Sequence, residues 1–273
     1  MQGTIKMNRI ILTLYTLFLL IFTIFPLLII ITLGFINEQN EFSFANFARL
    51  LEPNYLKIFS RSINFALITT IVCILIGYPT AWFISMSKKS VQNMLIIMII
   101  LPMWINTLLR TYAWIRILGK NGIINNLLKA MGFETIELLY NEKAVIIGMV
   151  YNFLPFMVLP IYTGLSKIKY EYIEAAKDLG ARIWQILLYI KFPLTLSYLA
   201  TGIIMVFIPS ITVFIISDLL GGAKQILIGN LIEKQFLFVE DWNTGAAISF
   251  IVMIVILIFN LTILKLMNKH NAK

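Results

Sequence analysis

Residues 144–165, AVIIGMVYNFLPFMVLPIYTGL, carry no charge. They lead into KIKYEYIEAAKDLGARIWQILLYIKFP at 167–193, which gives way to LTLSYLATGIIMVFIPSITVFII at 194–216. Two apolar runs, each long enough to cross a hydrocarbon core of about 30 Å, bracket one charged connection. In lipid every backbone N–H and C=O must be paired within its own segment, so runs of this length are read as helices. The chain crosses, turns through the charged stretch, and crosses back.

Four further runs lie outward of this core: Ile10–Phe35, Ile63–Met86, Asn93–Leu109 and Gly245–Leu266. With Ala144–Leu165 and Leu194–Ile216 they predict an all-α membrane protein with six transmembrane helices of about 17–26 residues each. The third run is the shortest, and its pattern extends to Ile117. Apolar–polar alternation of the β-barrel kind is absent. Composition agrees: of 273 residues 60% are hydrophobic and 13% charged, against about 25% charged in soluble domains. Too few charges remain to cover a water-facing surface. No repeat, low-complexity tract or linker divides the chain, so residues 1–273 are read as a single transmembrane domain. Asn46–Ser60 and Ile123–Met131 mix apolar and polar residues at helical spacing and are expected to be short interfacial helices.

Several chemistries fall away. The net charge of +9 is spread between apolar runs and forms no compact patch with stacking aromatics, so nucleic acid is not an expected partner. Cys73 is the single cysteine and lies inside an apolar run, which leaves no intrachain disulfide; a metal site needs more ligands than it offers. His270 sits in the polar tail. No G-x4-G-K-[ST] loop, Ser-His-Asp, Cys-His or H-E-x-x-H arrangement occurs. Lys6 and Arg9 precede the first run, but that run is too long for a signal-peptide core and lacks a small-residue cleavage site, so it is read as a retained span.

Orientation follows from Lys and Arg. With the N-terminus cytoplasmic, the inner segments hold Lys6, Arg9, Lys88, Lys89, Lys167, Lys169, Lys177, Arg182, Lys191, Lys265, Lys269 and Lys273. Those segments are short, so basic density is roughly twofold higher inside. Both termini and segment 167–193 are then cytoplasmic. Prolines interrupt five spans (Pro26, Pro79, Pro102, Pro155 with Pro160, Pro209). Each removes a donor and bends its helix, as ordinary curved packing or a pathway that opens and closes would both require.

Within 167–193, Tyr170–Leu179 reads as a short helix, Gly180 as a break, and Ala181–Ile190 as a second short helix, with Pro193 starting the next span. Ala175 and Ala176 leave backbone open to a partner's groove. Glu174 and Asp178 lie one turn apart on one face. They suit pairing with a partner's basic residues, and a solvated charged face explains them equally well.

Glu174-Ala175-Ala176, three residues, Gly180, nine residues, then Ile190-Lys191-Phe192-Pro193 resembles the EAA loop of bacterial ABC-importer permeases, E-A-A-x3-G-x9-I-x-L-P, with Phe192 in place of the usual Leu. The resemblance implies a type I ABC-importer permease (MetI-like) architecture whose cytoplasmic loop, residues 167–193, enters a cleft on a separate ATPase. Glu174, Ala175, Ala176, Asp178 and Gly180 are the expected coupling residues. ATP and Mg would be bound by that ATPase, with no cofactor in this chain and no bond made or broken by it. A second, similar permease subunit and an extracytoplasmic binding protein are the other implied partners.

The stretches Ser217-Asp218-Leu219-Leu220-Gly221-Gly222-Ala223-Lys224, Ile228-Gly229-Asn230, Asp241-Trp242-Asn243, Leu101–Tyr112 and Leu138-Leu139-Tyr140-Asn141 are similar to the polyamine (spermidine/putrescine) group of that family. This implies import of polyamines by alternating access and an extracytoplasmic polyamine-binding protein. A polycation needs carboxylates for its ammonium groups and aromatic faces for its methylenes, a cation over such a face gaining about 0.5–2 kcal/mol. Asp218 at the end of the fifth span, with Trp104, Asn106 and Tyr112 toward the outer side, are the substrate-pathway candidates. A water-facing cap or a pair with Arg110 are alternatives for Asp218, and core packing for Trp104. The rival functional reading is an ion-gradient-driven secondary transporter or channel for a small cationic solute, whose uptake would survive loss of the ATPase.

Overall fold

The computed structural model describes residues 12–271 except Glu38 and Ala223, with side chains through Met267. Lys6, Arg9, Lys273 and the side chains of Lys269 and His270 lie outside the described residues. Helices in order are α1 (Leu12–Gly34), α2 (Ala45–Arg49), α3 (Pro53–Met86), α4 (Lys89–Trp104), α5 (Thr107–Leu118), α6 (Ile123–Ala130), α7 (Glu142–Ser166), α8 (Tyr170–Asp178), α9 (Ile183–Thr212), α10 (Ile215–Gly221), α11 (Ile228–Lys234) and α12 (Trp242–Asn271). The β-structure among the described residues is one isolated bridge, Ile36 to Phe42.

Five helices, α1, α3, α7, α9 and α12, are long and apolar enough to cross a membrane, and the bent pair Lys89–Trp104 with Thr107–Ala130 is so only with its two halves taken together. That pair corrects the expected third span. The α-helix of α4 ends at Ile100, the 3₁₀ turn Leu101–Trp104 carries Pro102, and Ile105 is extended. Asn106 then caps α5, and the two halves meet at 99°. The pattern through Ile117 is helical, but it does not continue straight.

Other boundaries also move. Asn46–Ser60 is not one interfacial helix: α2 stops at Arg49, and Pro53 opens a helix of 34 residues that runs on as the second span. Proline suits that first turn, where its missing N–H has no partner to lose. Ile123–Ala130 is the expected short helix. The fifth span ends at Thr212 rather than Ile216, because Val213 is extended and α10 starts afresh. The second short helix of the loop is not separate. Its Ile183–Ile186 turn continues through a π-turn, Leu187–Lys191, into the fifth span. Phe192 N–H reaches back to Leu187 C=O there, and the wider turn accommodates Pro193, which has no donor and would crowd the carbonyl four residues before it. The same device precedes Pro26: Leu20–Ile24 is a π-turn closed by Phe25 N–H on Leu20 C=O.

Residue contacts cluster into two compact units. The first comprises Met1–Leu56 and Leu231–Leu257. In it Gly34 lies against the backbone of Ala246 and Ala247. Buried Asn46 donates to the C=O groups of Gly34 (3.1 Å) and Ile36 (2.9 Å), which ties α2 beneath a cluster of Phe35, Phe42, Phe44, Phe47 and Phe250. Arg49 pairs with Asp241 at 3.4 Å. Almost all of α1 is exposed, as a helix facing lipid or another subunit would be.

The second unit, Lys57–Asn230 with Ile258–Lys273, holds the main apolar core. Its most extensive packing is α7 against α9. Met149, Met157, Val158 and Ile161 of α7 and Val206 of α9 are fully buried, with Ile84 of α3 and Leu220 of α10. Small residues permit this approach: Gly148 lies against Ile216 and Leu220, and Gly164 against the Tyr198 ring. Close packing of small residues replaces the hydrophobic drive that lipid cannot supply. One polar pair inside it is the bond of 2.9 Å between the Tyr78 and Thr195 hydroxyls.

Candidate functional site: the charged elbow and the break beyond the fifth span

The elbow is built by its own backbone. α8 ends in a left-handed residue, Gly180, at φ +78°. Gly180 N–H donates to Lys177 C=O (2.8 Å) and Ala181 N–H to Ala176 C=O (2.9 Å). This is the paired closure of a Schellman end, and it favours glycine because a side chain at positive φ is strained. Arg182 N–H then donates to Gln185 Oε1 (2.7 Å), which caps the next turn. The chain reverses within four residues and enters α9.

The faces of α8 divide by spacing. Tyr170, Ile173 and Lys177 lie at intervals of three and four and line an open cavity with α3 and α9, Ile173 half-buried and the other two exposed. Glu174, Ala175, Asp178, Leu179 and Gly180 are exposed, and Leu179 is 89% exposed. The two alanines part company. Ala175 faces outward, as expected of a residue that leaves backbone open, whereas Ala176 is buried against this chain and is not open to a partner. Leu179, Gly180, Ala181, Gln185, Ile186, Tyr189 and Ile190 border a shallow open groove beside the turn. The outward side of the elbow thus carries two carboxylates and one exposed leucine beside the glycine turn, from which the chain runs on into α9.

The pathway candidates are placed as follows. Trp104 is 84% exposed at the end of the 3₁₀ turn, so core packing does not explain it. Asn106 Oδ1 accepts from Leu108 N–H (2.8 Å) and caps α5. Tyr112 is exposed on α5. Asp218 is not the end of the fifth span: it stands on α10, past the break, and is exposed. Among the described residues no hydrogen bond, ion pair or ring contact joins these four to one another. Arg110 does not pair with Asp218. Its Nη2 donates to Thr107 (3.1 Å), and its Nε is buried without a partner.

What the residue pattern did not reveal is the group that holds Asp218. Asn230, 7% exposed, uses every polar valence. Its Oδ1 accepts from Ser217 Oγ (2.7 Å) and Leu227 N–H (2.9 Å). Its Nδ2 donates to Phe214 C=O (3.1 Å) and to Asp218 Oδ1 (2.6 Å). Beside it Ser62 of α3 accepts from Ile228 N–H (2.8 Å) at the start of α11, and Gly229 lies against the Thr212 carbonyl, where a methyl group would collide. These bonds fix the break between α9 and α10 and leave Oδ2 of Asp218 outside the bond to Asn230. Partial desolvation pushes the Asp218 carboxyl up from the usual carboxylate range although the side chain reaches solvent, and the Asn230 bond opposes this.

Five helices long and apolar enough to cross a membrane, one bent pair and a charged elbow ahead of α9 describe a polytopic membrane subunit. The chain belongs to the family described as binding-protein-dependent transport system inner membrane component, whose profile matches residues 66–271. It is 38% identical over 263 residues to the spermidine/putrescine transport system permease protein PotB of Salmonella typhimurium, covering 93% of this chain and 92% of that one. Against PotB of Escherichia coli K12 it is 39% identical over 245 residues, 87% and 89% of the two chains. A crystal structure of a bacterial ABC transporter that imports the acidic polysaccharide alginate has a chain of the same fold, with TM-score 0.80 over 98% of both chains at 18% identity. The protein is therefore a permease of the inner membrane and a non-catalytic subunit of its transporter. The shared fold with an alginate importer means that the fold alone does not choose the cargo.

Proposed function

We propose that this chain is a permease subunit of a polyamine importer, carrying spermidine or putrescine inward by alternating access. The observation that carries the reading is the likeness to two spermidine/putrescine permeases, which runs nearly the length of each chain. The exposed elbow supports the mechanical part. Glu174, Ala175, Asp178 and Gly180 face a partner ATPase, which binds ATP and Mg, while Ala176 seats the helix against this chain. ATP binding draws two ATPase copies together, the elbow moves with them, and α9 transmits the movement to the bundle. The N- and C-termini and the elbow lie on the cytoplasmic side. A second permease subunit and an extracytoplasmic polyamine-binding protein complete the assembly.

The pathway is assigned to Asp218, Trp104, Asn106 and Tyr112 on the outer side, where an exposed carboxylate and aromatic faces suit a polycation. The test is uptake of labelled spermidine and putrescine by proteoliposomes holding the chain and its co-encoded partners. Uptake should require internal-face ATP and persist when ion gradients are collapsed. Uptake that follows an ion gradient without ATP would refute the reading.

Asp218→Asn should weaken polyamine uptake, roughly tenfold for the loss of one charge-assisted contact, while ATPase association is unchanged. It should not lower the melting temperature at neutral pH. A carboxyl raised on folding stabilises the fold below its unfolded value and loses that contribution as pH rises through the folded value. The amide removes this loss, and its oxygen still accepts from Asn230. Unchanged uptake kinetics would take Asp218 off the pathway.

A further inference from the structure

The body-facing side of the elbow holds a feature that solute transport leaves unused. A half-open cavity of about 350 Å³ is lined by the last turns of α3 (Trp82, Ser85, Met86), one side of α8 (Tyr170, Ile173, Lys177) and the start of α9 (Ile183, Ile186, Lys191). Two lysines from different elements line it. Lys177 is exposed, with its Nζ 6.0 Å from the Tyr170 ring centroid; Lys191 is half-buried, and the Lys177 charge repels it. Neither has a carboxylate in ion-pair range, since Arg49–Asp241 is the ion pair found among the described residues. Half-burying a cation beside another of the same sign is unfavourable unless an anion sits between them. Apart from Ser85 the remaining wall is apolar and aromatic, and the cavity lies at the end of α3, a helix long and apolar enough to cross a membrane.

We propose that this cavity binds a phosphate group, bridged by Lys177 and Lys191 with its apolar substituent against Trp82 and Met86. A phosphate there links the elbow to α3 and α9 and cancels the repulsion between them. The wall chemistry fits the headgroup of an anionic phospholipid, and a free phosphate offers the same oxygens to the same lysines.

The test uses the full-length chain in nanodiscs of phosphatidylcholine. In one arm phosphatidylglycerol replaces an increasing fraction of the lipid; in the other, inorganic phosphate is titrated into pure phosphatidylcholine discs. The readouts are the thermal shift and lipid retained in native mass spectrometry. Saturable stabilisation at low phosphatidylglycerol fraction identifies the lipid, and stabilisation by inorganic phosphate alone identifies the free ion.

In either arm Lys177→Gln/Lys191→Gln should weaken the response roughly 30-fold, two lysine contacts being lost. Lys88→Gln/Lys89→Gln, equally basic, exposed and nearby in sequence, should leave it intact, and Lys177→Arg/Lys191→Arg should preserve it. If the double glutamine variant does not accumulate, Lys177→Gln alone carries the comparison. Equal responses from both glutamine pairs, or no response to either probe in the unaltered chain, would overturn the assignment.

Discussion

Gly180→Pro abolishes ATP-coupled uptake while the chain still inserts in the membrane. Gly180 holds φ at +78°, and the proline ring fixes φ near −65°, so the native turn is unreachable. The substitution also deletes the N–H that donates to Lys177 C=O and removes the conformation that lets Ala181 donate to Ala176. The last turn of α8 opens, and Glu174 and Asp178 no longer keep a fixed position relative to α9.

Graded variants separate this from general damage. A methyl group at Gly180 meets nothing within 4 Å, so Gly180→Ala carries only the backbone strain of a left-handed alanine, about 1–2 kcal/mol, and should reduce coupling partially. Gly180→Asn, whose side chain tolerates that conformation, should retain more activity than alanine. The measurement is ATP-dependent uptake beside ATPase rate and ATPase retention on the purified complex. The proline variant should lose uptake by at least about a hundredfold, as local melting of a drive element implies. Uptake by Gly180→Pro equal to the unaltered chain would remove the elbow from the mechanism.

The elbow was legible because its determinants are local. Glycine at a helix end, carboxylates one turn apart and flanking apolar runs all act within a few residues. The crossings were legible for a similar reason, since bilayer thickness sets a length that composition alone reveals. The breaks were not. Pro102 coincides with a bend of 99°, whereas Pro79, Pro155, Pro160 and Pro209 stay inside continuous helices, and Pro26 and Pro193 are absorbed by π-turns. One residue type has three outcomes, decided by what packs around it. The outward orientation of Ala175 and the inward one of Ala176 likewise depend on how α8 is rolled against the bundle.

Asn230 was the least legible of the functional residues, although its segment was noticed. Its partners are Phe214, Ser217, Asp218 and Leu227. Only the break after Thr212 and the turn between α10 and α11 bring those groups around one amide. A buried asparagine with four satisfied bonds is indistinguishable in sequence from a surface one.

Asn230→Leu, close in size, should be the most destabilising conservative change in this part of the molecule. Phe214 C=O keeps Ser217 Oγ (2.8 Å) and Asp218 N–H (2.9 Å), so it is not orphaned. Leu227 N–H has no other acceptor, and a buried unpaired N–H costs about 1–3 kcal/mol. The Asp218 carboxylate loses a charge-assisted bond that water partly replaces, since that side chain is exposed. The sum is on the order of 2–4 kcal/mol, enough to lower the melting temperature by several degrees in detergent or nanodiscs. Asn230→Asp tests the same geometry differently. Its oxygens still accept from Ser217 and Leu227, but a second carboxylate now faces Asp218, and one of the two must hold a proton to restore the bond. The second ionisation of the pair is then raised in the folded chain, so stability is present at acid pH and falls as pH rises through that folded value. A melting temperature for Asn230→Asp that drops from mildly acidic to neutral pH, beside a uniformly low one for Asn230→Leu, is the expected pair of curves. Should Asn230→Leu melt with the unaltered chain, the amide would not be what fixes the break, and Asp218 would owe its position to the helix alone.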